Sequence, residues 1–130
     1  MTDEPIDPRI LEIAQLMFDA ARAGDAATLA EYVDTGVPAN LTNGSGDTLV
    51  MLAAYHGHAD AVRVLAERGA DLDRLNDKGQ SPLAGAVFKG ADDVVRVLSE
   101  AGADPRLGHP TAIDTAKMFG REEYLELWQR

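Results

Sequence analysis

Apolar residues return along this chain in a fixed step, with polar stretches rich in glycine, asparagine and aspartate between them. Ala20, Ala53, Ala86 and Ala116 follow one another at spacings of 33, 33 and 30, and Gly24, Gly57, Gly90 and Gly120 keep the same step. Gly36, Gly69 and Gly102 form a second glycine series at 33, and Val62, Arg63, Val64 and Leu65 recur as Val95, Arg96, Val97 and Leu98. Two glycine series locked to one alanine series define an internal repeat, the feature that decides the fold before any local reading. Each period reads as two short helices and a loop.

The helix boundaries are written in cap residues. Thr48 stands as N-cap of Leu49-Val50-Met51-Leu52-Ala53-Ala54, and Ser81-Pro82 supplies a cap and a first-turn proline one period later. Gly57 and Gly90 then stop those helices in the left-handed conformation that glycine enters without penalty. Second helices are predicted from about Asp60 to Arg68 and from about Asp92 to Ala101, closed by Gly69 and Gly102. The polar loop Asp71–Gly79 has Asn76-Asp77-Lys78-Gly79 at its tip, and Asn43-Gly44 reads as a type I′ turn at the preceding tip.

At the start, Asp7-Pro8 opens a long helix to about Ala23, with Ile6 and Leu11 at hydrophobic-staple positions and Glu12, Gln15 and Asp19 giving it a polar side. At the other end, Trp128 falls in register with Leu65 and Leu98, a core slot against the previous second helix. Terminal repeats need such polar outer faces. Residues 1–7 are expected to form a disordered acidic segment, and 8–130 the repeat domain.

These residues resemble the ankyrin repeat, whose period is about 33 and whose signature is Thr-Pro-Leu-His-x-Ala. Ser81-Pro82-Leu83-Ala84-Gly85-Ala86, the Gly57-His58 pair, Arg68-Gly69-Ala70-Asp71 and Ala101-Gly102-Ala103-Asp104 carry the likeness. It implies an all-α ankyrin-repeat solenoid of about four helix-turn-helix repeats joined by hairpin loops, at about 8–40, 41–73, 74–106 and 107–130. The signature histidine is replaced by Met51, Ala84 and Asp114, so the array is expected to rely more on apolar packing between repeats. The fourth unit lacks three residues before Thr111, which shortens its hairpin. Gly85 stands mid-helix where Leu52 stands one unit earlier, at a cost of roughly 0.5–1 kcal/mol relative to alanine.

Composition narrows the function. With 45% hydrophobic residues in 130, the chain can bury a core of its own. The absence of cysteine excludes disulfides, thiol nucleophiles and thiolate zinc sites. Twenty-two acidic against twelve basic residues give a net charge of −10, which repels nucleic acid and anionic membranes. No apolar run approaches the roughly 18 residues of a membrane span, and the acidic Met1–Pro5 does not read as a signal peptide. A cytoplasmic, monomeric protein is expected. Nine of the twelve basic residues are arginine, which with the abundant alanine points to a GC-rich, bacterial genome.

Catalytic chemistry is scarce. His56, His58 and Asp60 could be read as a metal or acid–base set, the basis of an alternative reading as a metal- or small-ligand-binding protein or enzyme. Against it, two imidazoles flanking a helix-ending glycine point apart. Gly44-Ser45-Gly46-Asp47-Thr48 has the glycines of a phosphate loop but neither its lysine nor a preceding strand. Asp60, Asp93 and Glu123 recur at the positive ends of second helices, and Asp60 and Asp93 precede Arg63 and Arg96 by three residues, as on a solvated, ion-paired face.

The family resemblance implies that the last two residues before each first-helix glycine face a concave groove. Those pairs are Arg22-Ala23, Tyr55-His56, Phe88-Lys89 and Met118-Phe119. Their aromatic, Met and Arg content is what interface anchors are made of. The chain is therefore read as a non-catalytic protein–protein interaction module needing no cofactor, possibly a regulator or stabiliser of an enzyme. Its partner-binding residues would be Arg22, Tyr55, His56, Phe88, Lys89, Met118 and Phe119, with Asp47, Asp77 and Lys78 at the hairpin tips.

Overall fold

A computed structural model describes residues 7–129. The expected disordered segment and the Ile6 half of the staple lie outside the described residues, apart from Asp7. The Asp7 carboxylate accepts the Arg9 N–H at 2.9 Å and caps the first helix.

Eight helices follow in order: α1 (Pro8–Ala23), α2 (Ala26–Asp34), α3 (Leu49–Tyr55), α4 (Ala59–Glu67), α5 (Pro82–Lys89), α6 (Asp92–Glu100), α7 (Ala112–Met118) and α8 (Glu122–Leu127). Among the described residues there is no strand, only a single antiparallel bridge between Thr42 and Thr48 at the base of one hairpin. The predicted caps at Thr48 and Ser81 are in place, and Thr111 caps the fourth unit in the same way. The hydroxyls of Thr48, Ser81 and Thr111 accept the N–H groups of Met51, Ala84 and Asp114 at 3.0, 3.1 and 3.0 Å. Gly90 ends α5 at φ +69°, a conformation open to glycine.

The helices form two layers. α1, α3, α5 and α7 stack side by side as an inner row, and α2, α4 and α6 stack behind them. Ala20, Ala53, Ala86 and Ala116 are all buried, one in each inner helix, where a larger side chain would hold neighbouring backbones apart. Leu29, Val62 and Val95, themselves 33 apart, are fully enclosed between the layers with Leu65 and Leu98. No described helix is long and apolar enough to cross a membrane.

The missing signature histidine does not leave the repeats without polar links. The links run through the loops instead. Asn40 accepts the Asp71 N–H at 2.8 Å, and Asp73 accepts the Asp104 N–H at 2.8 Å. The Asp77 N–H donates to the Ser45 carbonyl at 3.0 Å, and the His109 N–H to the Gly79 carbonyl at 2.9 Å. Within each tip one asparagine organises the turn: Asn43 Oδ1 accepts from the backbone N–H groups of Ser45 and Asp47, and Asn76 Oδ1 from those of Lys78 and Gln80.

That geometry corrects the type I′ reading of Asn43-Gly44. Among the described residues no non-glycine has positive φ, and the left-handed position is taken by Gly46 at φ +76°, as by Gly79 at +75° one unit later. The asparagine side chain closes the turn from outside it, so its own backbone never needs the left-handed region.

At the C-terminus Trp128 packs on the preceding second helix as predicted, its indole N–H donating to Ser99 Oγ at 2.9 Å. Its slot is only half-buried, whereas Leu65 and Leu98 are fully buried. The ring keeps its polar indole edge at the surface, where it meets the Ser99 hydroxyl.

Candidate functional site

The inner row of helices presents its C-terminal ends side by side. Tyr55, Phe88 and Met118 occupy the penultimate position before Gly57, Gly90 and Gly120, so the 33- and 30-residue steps bring them to one face. Their exposures of 40%, 59% and 66% show that the fold does not use them as core. Phe119, 51% exposed, meets Phe88 edge to face with ring centroids 5.8 Å apart. His56 stands edge-on to Tyr55 at 5.6 Å, and Lys89 places its ammonium 4.8 Å from the Tyr55 ring centroid. Arg22 lies on the same register in the first unit, where it pairs with Asp19 at 3.3 Å.

Two depressions adjoin this stripe and share Met51, Tyr55 and Gln80. The first, about 400 Å³, runs from Tyr55 to the hairpin tips and is bordered by Asp47, Asp77 and Lys78. Asp47 is partly committed there: it accepts from the Asn76 side-chain amide at 2.9 Å. The second, about 240 Å³, lies between α3, α5 and α7, with Met51, Tyr55, Phe88, Pro110 and Met118 around Gly85. Met51 and Gly85 line this depression without being among the residues that register brings to the stripe, although the same register sets Leu52 where Gly85 has no side chain. A Cβ added at Gly85 would come only to 3.6 Å from Met51 Cε and 3.9 Å from Tyr55, so nothing crowds the position.

His56, His58 and Asp60 do not converge. The His58 ring bonds the Arg22 carbonyl at 2.8 Å through Nε2 and lies against Gly24, tying the second unit to the first. Asp60 is held by Arg63 at 2.8 Å. Among the described residues, no cluster of three or more histidines and carboxylates is placed to hold a metal ion.

The outer row is charged but internally paired. Arg68 takes Asp34 through two hydrogen bonds, at 2.9 and 3.2 Å, which hold the Asp34 carboxyl below its ordinary pKa. Asp92 accepts from the Tyr124 hydroxyl and from Arg121, and both hydrogen bonds lower its pKa, the tyrosine's more. Burial, and then the same bond to Asp92, push the Tyr124 hydroxyl up to about 12. The expected Asp93–Arg96 pair does not form. Asp93 turns its carboxylate to the Val94 N–H at 2.9 Å instead, one more anion spent on a helix start.

Comparison with known proteins places this architecture. A family model for ankyrin repeats, in three copies, matches residues 16–108. An ankyrin repeat protein of Pseudomonas aeruginosa is 46% identical over 67 residues, covering 49% of this chain and 39% of that protein. The crystal structure of the human ASB11 ankyrin repeat domain superposes with a TM-score of 0.72 at 28% identity, over 85% of this chain and 51% of that one. The chain thus spans about two fifths and about half of the lengths of these two relatives.

Proposed function

Because the chain belongs to the ankyrin repeat family, we propose that it works as a non-catalytic binding module that holds a partner protein along its concave groove. Ankyrin repeats are in general protein–protein interaction modules, and stacked repeats produce an extended concave surface from their geometry alone. The observation that carries the reading is the row of Tyr55, Phe88 and Met118, large and exposed on one face. Apolar side chains in such a row gain from being covered, and aromatic and methionine residues are the anchors that interfaces favour. Arg22, His56, Lys89 and Phe119 continue the surface, and Asp47, Asp77 and Lys78 extend it to the hairpin tips. The protein would act by occupying its partner, as a regulator or stabiliser of an enzyme, and as a monomer in the cytoplasm.

The test is the double variant Tyr55→Ala/Phe88→Ala, melted and used as bait in extract of the native cell. Exposed side chains contribute about 0.5 kcal/mol or less to folding, whereas buried aromatics cost about 3–5 kcal/mol each when truncated. Anchors at a binding hot spot cost about 2 kcal/mol or more of affinity apiece. The expected result is a melt close to the parent's with capture lost. A collapse of the melting temperature would assign the row to the core. An unchanged melt with unchanged capture would remove the groove from the interface.

A further inference from the structure

The notch at Gly85 gives the groove a chemical preference. Inner helices carry Leu52 in the second unit and Thr115 in the fourth at the register position of Gly85, and both are buried. The third unit alone leaves the place empty, and Met51, Tyr55, Phe88 and Met118 stand around the gap. At about 240 Å³ the space falls below the roughly 300–1,000 Å³ of pockets that enclose free small molecules. It has room for one side chain.

Charge selects what lies beside that side chain. The acids of the outer row hold arginines: Asp34 holds Arg68, Asp60 holds Arg63, and Asp92 with Glu123 holds Arg121. Lys89 forms no ion pair among the described residues and rests its ammonium over Tyr55, on the wall of the notch. On the far side of Tyr55, Lys78 is outnumbered by Asp47 and Asp77, so the tips do not draw an acidic segment. The net charge of −10 opposes a strongly acidic partner at long range, but beyond about 10 Å exposed charges are screened at ordinary salt. One carboxylate beside the notch is what the local charges accept.

We infer that the groove recognises a peptide segment of its partner that seats one Leu, Met or Phe side chain in the Gly85 notch and sets an adjacent Asp or Glu against Lys89. This rests on the groove being the binding surface and adds the class of segment it takes.

Random linear peptides displayed on phage, selected on the full chain, test it. Enriched sequences are then synthesised with a fluorescent label and titrated by anisotropy. The expected consensus is a bulky apolar residue with an acidic residue next to it. Affinity should fall at least about tenfold in Gly85→Leu, which refills the notch as Leu52 fills the preceding unit, and by several-fold in Lys89→Glu. Lys89 is exposed and has no ion pair among the described residues, so its reversal leaves folding intact and decides the matter even if Gly85→Leu folds poorly. A consensus lacking the acidic neighbour, or binding indifferent to both variants, would overturn the inference. Peptides that need Tyr55 and Phe88 but ignore Gly85 and Lys89 would refute this segment class while leaving the groove as the surface. A selection yielding no peptide sensitive to Tyr55 and Phe88 would refute both.

Discussion

Asn76 donates a side-chain N–H to Asp47 Oδ1 at 2.9 Å, and with its own oxygen it accepts from the backbone of Lys78 and Gln80. One carboxamide thus shapes the third unit's tip and fastens it to the second. Asn76→Ala should cost roughly 1–3 kcal/mol, because two backbone donors and one carboxylate lose a partner together. Thermal melts would show the loss. Asn43→Ala should cost less, since its bond to Asp47 is stretched to 3.5 Å and reaches no other unit.

Gly85→Ala should stabilise the fold by roughly 0.5–1 kcal/mol, through helix propensity and a less free unfolded chain. The nearest atoms around the new methyl are at ordinary contact distance, so no strain opposes the gain. A raised urea midpoint at constant slope is the expected signature.

Removing Tyr124–Arg130 should lower the melting temperature and promote aggregation. The deletion takes away the bonds from Trp128 to Ser99 and from Tyr124 to Asp92, and with them the cover that the last helix gives α6. Scattering on heating would rise with the exposed apolar surface.

Acid should weaken the array through Asp34 and Asp92. Both carboxyls lie below the ordinary 3.8 in the folded chain, so the unfolded chain takes up protons first as pH falls. Their contribution is complete above about pH 4 and drains away as pH drops through the folded values. Alkali acts with the opposite sign on Tyr124, whose hydroxyl titrates near 12 folded against 10.0 unfolded. Its contribution is complete below pH 10 and is lost as pH rises towards 12. Melting temperatures across both ranges check this, and Tyr124→Phe should flatten the alkaline limb.

The sequence made the helices legible because they end in residues with one conformational purpose: Asp7, Thr48 and Ser81 at the starts, glycines at the stops. The Tyr55, Phe88 and Met118 row was legible for the same reason, since register alone carries a side chain to a face. What stayed hidden depends on choices between near-equal partners. Asp93 could reach Arg96 or its own helix start, and chose the latter. Asn43 could have entered the left-handed region, but Gly46 does so at lower cost. The bonds from Asn40 to Asp71 and from His58 to the Arg22 carbonyl join loops whose distance apart only the stacked helices determine. The Gly85 notch was visible as a missing side chain, yet read as a local helix cost it gave no hint of the walls around it.

The polar links between units all join neighbours, at separations of 29 to 36 residues. Among the described residues none spans two repeats, so no early event has to wait for distant segments to meet. Chains wired in this way assemble as a zipper closes, each added unit finding its template already formed. Within the described residues, α3 and α5 each pack against an inner helix on either side, whereas α8 packs chiefly on α7. Amide protons in α3 and α5 should therefore outlast those in α8 during deuterium exchange, recording in time the order in which the array opens.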